Sequence, residues 1–399
     1  MRCVKIYTES ISFDDTLPVV LTVCHIDEYP LHCHEDAIEI IFVLQGTAQV
    51  KISFEHFTLG EGDYVIVNRE DSHKIWRQNA TDNMVALFHI SLKSYRALFP
   101  HIDYVIFACE SFDLAKYKGQ TGQLRQLLLQ LMDNLLRGGY KAGETAADIT
   151  ASLMQTLVGE YSLDRYYNRS RDISADKLTT YYTIIQHIYE NYHDKNLLRD
   201  ISRRQFYSES YISHLFKEVG AAGFQDILGY IRVFRAERLL LETSCGITMI
   251  SERCGFSDIK YFNRTFKKWF LLKPSEYRKI YQPEIGRDIQ AATADDDKVA
   301  EKILHWENLV DDTTEYKVSI TPITLKNIGS KTDLINCLNQ DSALPEPNGE
   351  TGRGGSGSTY AIIRIDENRN AEHTKKLLEN LLRDFQSKAA SDLEYWFIK

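Results

Sequence analysis

Hydrophobic and polar positions alternate with a period near two through the first hundred residues. PVVLTVCHI (18–26), AIEIIFVL (37–44), TAQVKISF (47–54), GDYVIVN (62–68) and NMVALFHI (83–90) are short and rich in β-branched residues. Turn signals such as Gln45-Gly46 and Gly60-Glu61-Gly62 separate them. The pattern predicts a small all-β barrel or sandwich. The period then lengthens. Leu124, Leu127, Leu128, Leu131 and Leu135 follow helical spacing, and 145–159 reads as a second helix. Their leucine stripe needs a cover, either the barrel itself or a second subunit.

After the polar stretch RDISADKLTT (171–180), helical signals run almost unbroken to Lys279. Two segments there repeat. YISHLFKEV (211–219) and YFNRTFKKW (261–269) start fifty residues apart, and each follows a shorter helical run, LLRDISRR (197–204) or ITMISERC (247–254). Short helix, turn and second helix form a helix-turn-helix unit, so two units are expected. In the second, Gly255 suits a tight turn, Ser257 or Asp258 a helix cap, and Tyr261, Phe262 and Phe266 the interior. That leaves Lys260, Asn263, Arg264 and Lys267 outward. In the first, Ser208 is the expected cap, with Ser210, Ser213, His214 and Lys217 outward.

Arginine, asparagine and serine can read base edges in a major groove, and lysines touch phosphate. Asn263 and Arg264 are therefore the expected base readers of the second unit. Ser210, Ser213 and His214 take that role in the first, and Lys217, Lys267, Lys268 and Arg278 face phosphate or solvent. Between the units, FQDILGYIRVFRAERLLLET (224–243) reads as one long helix that holds the readers apart, with Arg232 as its brace.

Charge supports this layout. The chain of 399 residues has a net charge of -9, yet residues 181–280 hold 16 Lys and Arg against 11 Asp and Glu, a net of +5. A basic segment between acidic ones is the footprint of a module that meets a polyanion. The seven cysteines lack a CxxC pair, which fits a reducing compartment without structural disulfides or a zinc cluster. No signal peptide or apolar run of membrane-spanning length is read, so a cytoplasmic location and no membrane partner are expected.

The residues of 196–279 resemble the double helix-turn-helix DNA-binding domain of AraC/XylS-type bacterial transcription regulators. The resemblance rests on SESYISHLFKEVG, GFQDILGYIRVFRAERLL, ITMISERCGFSDIKYFNRTFKKWF and KPSEYRK. Ser202 and Ser251 stand where that family usually has alanine, and Ala221 and Leu271 where glycine is frequent. The N-terminal region resembles the cupin-type effector domain of such regulators, through YPLHCHEDAIEIIFVLQG (29–46) and GEGDYVIVNREDSH (60–73). In cupin enzymes His32, His34, Glu39 and His73 would be metal ligands. In a regulator the resemblance implies that they line a ligand pocket, with Trp76 beside them, and that neither metal nor cofactor is required.

The expected architecture is therefore multidomain. A cupin-like all-β barrel with flanking helices spans 1–170, for effector sensing and dimerisation. An all-α double helix-turn-helix domain spans 180–282. A small accessory region, α+β and partly flexible, spans 283–399. In it IQAATADDDKVAEK (289–302) reads as a tether or exposed helix, YAIIRI (360–365) as a strand and 371–387 as an amphipathic helix. The resemblance implies a non-enzymatic activator of transcription that responds to a small molecule such as a sugar. Its expected partners are double-stranded promoter DNA, a second copy of the chain and RNA polymerase. The alternative is a metal-dependent cupin enzyme fused to a DNA-binding module.

Overall fold

The structure, a computed structural model, describes residues 7–77, 82–108, 121–137, 142–164, 173–220, 222–310, 318–324 and 359–365. It divides into two units, the larger comprising residues 1–111 and 120–311.

The alternating runs of the first hundred residues all become strands. They are β1 (Tyr7–Thr8), β2 (Val19–Cys33), β3 (Ala37–Gln45), β4 (Ala48–Ile52), β5 (Glu55–Leu59), β6 (Tyr64–Val67), β7 (His73–Trp76) and β8 (Met84–Ser91). The β5–β4–β7–β2–β8–β3–β6 order wraps them into a nearly closed antiparallel cupin-like barrel, with β1 parallel to β2 at the edge. The strand β7 was not anticipated: it is four residues long, and its alternation shows only once its neighbours are known. Strands β3 and β8 are buried along almost their whole length, which explains their continuous apolar composition.

Helices α1 (Thr121–Arg137) and α2 (Ala142–Thr156) pack on each other, and α2 continues into a wider π turn at Leu157–Tyr161. Leu124, Leu128 and Leu131 are fully buried inside the chain, while Leu127 and Leu135 of the stripe are half-buried. Part of what covers the buried ones was unexpected. Residues 289–302 are not a tether. The strand β9 (Gln290–Thr293) pairs antiparallel with β2, aligning Cys24 with Thr293 and Ile26 with Ala291. The following helix, called α10 below (Asp296–Val310), buries Val299, Ile303 and Trp306 against α1 and β3. The Trp306 Nε1 donates to the Leu44 carbonyl at 3.2 Å. Gly62, at φ +79°, makes room for the indole: a Cβ there would fall 2.3 Å from the ring. Residues 290–310 thus belong to the barrel rather than to a separate 283–399 region, because the apolar spacing of α10 needs the barrel wall to bury it.

Among the described residues, the α-helices between Ala175 and Tyr281 are α3 (Ala175–Asn191), α4 (Leu197–Gln205), α5 (Glu209–Val219), α6 (Phe224–Glu242), α7 (Ile247–Arg253), α8 (Ile259–Phe270) and α9 (Pro274–Tyr281). The pairs α4–α5 and α7–α8 are the two expected helix-turn-helix units, and α6 is the rod between them. Each unit has its own core. Ile201, Ile212, Leu215 and Phe216 serve the first, with Ile184 and Ile188 of α3. Ile250, Phe256, Phe262, Phe266 and Phe270 serve the second, with Tyr277 of α9. Burying one such phenylalanine contributes about 1.5–3 kcal/mol.

The second unit of the chain includes the strands β10 (Val318–Thr324) and β11 (Thr359–Ile365), paired antiparallel with Val318 opposite Ile365. The expected strand YAIIRI lies in β11. The expected helix at 371–387 and the Gly-rich stretch before β11 lie outside the described residues. Among those described, no helix is long and apolar enough to cross a membrane.

Candidate effector site and nucleic-acid interface

Cross-strand pairing assembles a histidine cluster inside the barrel. His32 on β2 stands opposite His73 on β7, and Glu39 on β3 stands opposite His89 on β8. His34 follows β2 two residues after His32 and so returns to the same face. All five side chains are buried. The His73 Nε2 lies 2.6 Å from Glu39 Oε2, the His34 Nε2 lies 3.4 Å from it, and the His89 Nε2 lies 3.6 Å from Glu39 Oε1.

Backbone carbonyls orient three of the rings. The Nδ1 of His32 lies 2.8 Å from the Pro30 carbonyl, that of His73 3.0 Å from Asp71, and that of His34 3.4 Å from Glu9. A carbonyl can only accept, so Nδ1 carries a proton in each ring and leaves Nε2 to face a carboxylate. Burial shapes the charges here. It holds His32 well below the ordinary histidine range, with the neighbouring His73 acting the same way. It also depresses His89 to about 4. Burial alone would raise Glu39, but the charge of His73, with contacts from His34 and His73, holds its carboxyl well below the usual range.

One donor atom each from His32, His34, Glu39 and His73 lies within 4.8 Å of the others. Donors about 2.1 Å from a shared ion stand ~3 Å apart when adjacent and ~4.2 Å when opposite, so the set fits a transition-metal ion. The buried His34 Nε2, His73 Nε2 and both Glu39 oxygens lack hydrogen-bond partners, as uncoordinated ligand atoms would. These four residues could hold the ion, which would supply Lewis acidity or simply a fixed charge.

Two expectations change. Trp76 does not line this cluster. It alternates away from His73 to the opposite face of β7, where the Lys74 Nζ sits 4.8 Å from its ring. His89 and Glu9 do reach the cluster and were missed. A lone histidine in the apolar run NMVALFHI was a signal, but only its pairing with Glu39 gives it meaning.

The cluster backs onto the helical region. Glu35, next to His34, pairs with Arg238 of α6 at 2.6 Å. Glu70 pairs with Arg235 of α6 at 3.0 Å. The hydroxyl of Ser72, next to His73, donates to Glu237 of α6 at 2.5 Å. Glu237 also accepts from the Tyr277 hydroxyl, which in turn accepts from the buried Lys51 ammonium at 3.2 Å. Burial pushes Lys51 down to about 8 and Asp71 up to about 7. Leu31 and Cys33 of β2 share one apolar cluster with Val233, Ala236 and Leu240 of α6.

The expected readers lie on α5 and α8. Ser208 and Asp258 are the caps: Ser208 accepts from the Tyr211 N–H at 3.1 Å, and Asp258 from Lys260 and Tyr261 at 3.0 and 3.3 Å. Ser210, His214 and Lys217 of α5 and Lys260, Arg264, Lys267 and Lys268 of α8 are exposed, while Ser213 and Asn263 are half-buried. Some are engaged locally. The Ser213 hydroxyl donates to the Glu209 carbonyl at 2.9 Å, Lys268 pairs with Asp226 at 2.6 Å, and His214 lies 3.5 Å from Glu218. The Arg264 guanidinium rests over the Tyr261 ring at 5.4 Å, pointing no charge inward. Gly255, at φ +77°, lets the turn pass the His193 carbonyl, which a Cβ would meet at 2.6 Å. Arg232 braces α6, donating to the carbonyls of Tyr192 and Asp194 at 2.8 and 2.7 Å.

Known proteins agree with this division. A Cupin domain matches residues 25–91 and a Helix-turn-helix domain matches residues 201–280. An uncharacterised HTH-type transcriptional regulator of Staphylococcus aureus (strain MRSA252) is 24% identical over 257 residues, covering 64% of this chain and 33% of the relative. The HTH-type regulator YijO of Escherichia coli (strain K12) is 38% identical over 90 residues, 22% of this chain and 32% of that one. The chain thus spans about a third of the length of these curated relatives. Among solved structures, ToxT of Vibrio cholerae with bound unsaturated fatty acid aligns at a TM-score of 0.34 and 13% identity, covering 69% of this chain and 100% of that one. The C-terminal domain of the response regulator yesN of Fusobacterium nucleatum aligns at 0.24 and 35%, covering 25% and 98%. The chain thus joins a segment that matches a Cupin domain to one that matches a Helix-turn-helix domain.

Proposed function

We propose that the chain is a transcription regulator that binds double-stranded promoter DNA through α5 and α8, and that the barrel site sets how tightly it binds. One observation carries this reading. The segments bearing His34 and His73 are each joined to α6, the rod between the two readers, by a residue adjacent in sequence, Glu35 after His34 and Ser72 before His73. A change of occupancy that moves either histidine bears directly on α6. Allosteric control needs two sites and a physical link between them, and this junction supplies the link. Activation, a small-molecule effector, a homodimer, contact with RNA polymerase and a cytoplasmic location extend the reading by resemblance. The enzyme alternative rests on the same four donors and would show itself as turnover of a substrate at a bound metal.

The test is a genome-wide pulldown of DNA bound to the full chain, run with and without added metal and candidate sugars. The recovered sites then enter binding assays with Asn263→Ala and Arg264→Ala. Recovery of discrete promoters, and a loss in the variants, supports the reading. Binding to a recovered promoter that neither substitution changes removes α8 as the reader.

A further inference from the structure

We infer that His89 and Glu9 close the barrel's metal-binding set, so that a divalent transition-metal ion is itself the effector; the effector half of this inference rests on the regulator reading above. The motif supplies four donors, and the fold adds two more around them. Donor atoms of Glu9, His34 and His89 form a second group within 4.8 Å, sharing His34 with the first. The His34 and His89 rings meet edge to face at 4.7 Å. The Glu9 Oε2 lies 3.7 Å from the His32 Nε2. Tyr29 holds that carboxylate in place, its hydroxyl within 2.8 and 2.9 Å of the two oxygens.

The unpaired atoms define what the site wants. Both ring nitrogens of His89 are buried without a hydrogen-bond partner, beside the unpaired His34 Nε2, His73 Nε2 and Glu39 oxygens. Buried polar atoms are nearly always paired, so this concentration of unpaired ones calls for a partner. His73 Nε2 and Glu39 Oε2 approach within 2.6 Å without forming a well-aligned hydrogen bond. Lone pairs gathered in two groups that share His34 suit a cation. Two carboxylates balance a divalent charge, and four imidazoles favour zinc, nickel, iron or copper over magnesium or calcium.

Closure separates sensing from catalysis. A catalytic metal keeps a position for substrate, whereas a metal held by protein donors on every side does not. His89 takes the side of Glu39 that the motif leaves open, and it is itself buried. The ion is then the signal, and His34 and His73 carry its presence to Glu35 and Ser72.

The test uses the full chain, stripped with a chelator and reloaded with Zn²⁺ or Co²⁺. X-ray absorption on the zinc form counts imidazole ligands without any substitution. Four are expected, and three would remove His89 from the set. The cobalt form is expected to show the weak visible bands of five or more ligands. In His89→Gln, and separately in Glu9→Gln, those bands should strengthen toward the four-coordinate pattern, and affinity for Zn²⁺ should fall by at least about 10-fold. Unchanged spectra and affinity in both variants, or no uptake of metal by the wild-type chain, overturn the inference. A promoter from the pulldown then reports the effector half. Binding that differs between stripped and zinc-loaded chain supports it, and equal binding overturns it while leaving the ligand count standing. Failure of both forms to bind any DNA overturns the regulator reading, and the effector half with it.

Discussion

Leu271 shows how a single residue can be read from its neighbours. It stands where glycine is frequent in related units, and the structure gives it a left-handed backbone, φ 60°, with a side chain largely in solvent. A β-carbon in that conformation costs energy that no buried contact here offsets. Leu271→Gly should therefore raise stability by about 0.5–1 kcal/mol, measured as a higher urea midpoint with an unchanged slope. Lys51 makes the opposite case, because nothing in TAQVKISF marks it for burial. Its ammonium is held at about 8 against an ordinary 10.5. Below 8 both folded and unfolded chains hold the proton and the burial penalty is complete. Between 8 and 10.5 the unfolded chain binds more proton, so this group's contribution to stability rises with pH. Lys51→Met should remove that rise. The comparison is thermal unfolding of both proteins from pH 7 to 10, with parallel curves contradicting the assignment. His89 was illegible for a related reason: one histidine in an apolar strand is ordinary until register sets it against Glu39. Trp76 was misplaced because sequence proximity to His73 ignored the alternation of a strand.

At the level of elements, period and capping carried most of the information. The repeat, Gly255, Asp258 and the phenylalanine spacing located α7 and α8, because both helices are amphipathic and bounded by residues with one clear backbone use. Asp258→Ala should cost about 1 kcal/mol of stability, since it frees the N–H groups of Lys260 and Tyr261. The exposed faces carry a different prediction. Arg264→Ala should weaken binding to a recovered promoter by about 1–3 kcal/mol and relax specificity at one position. Lys267→Ala should weaken binding evenly across sequences and lower the salt slope by about 1. Equal effects of the two substitutions on specific and random DNA would deny Arg264 a base-reading role. The elements read only in part from the sequence are β9 and α10, since a helix was one of the two readings of 289–302 but neither the strand nor the buried face was. Asp-rich composition before α10 suggested solvent, yet Val299, Ile303 and Trp306 share one buried face. Helical spacing was present there; what was not legible was the barrel wall that the face would meet.

For the molecule as a whole, the account rests on the junction between barrel and α6. Its contacts differ in weight. The Arg238–Glu35 pair is about a third to half exposed and, like other surface pairs, contributes about 0–1 kcal/mol. The network of Ser72, Glu237, Tyr277 and Lys51 is buried and hydrogen-bonded throughout, so losing Glu237 leaves the hydroxyls of Ser72 and Tyr277 without their shared acceptor. Glu237→Ala should accordingly destabilise the chain by about 3–5 kcal/mol, whereas Glu237→Gln should preserve the fold and alter only the coupling. The most direct measurement is the affinity of the full chain for one recovered promoter at fixed salt, stripped of metal and loaded with zinc, in wild type and Glu237→Gln. The account predicts affinities that differ at least about fivefold in wild type and converge in the variant. Equal affinities in the wild-type chain, with zinc shown to be bound, would contradict it.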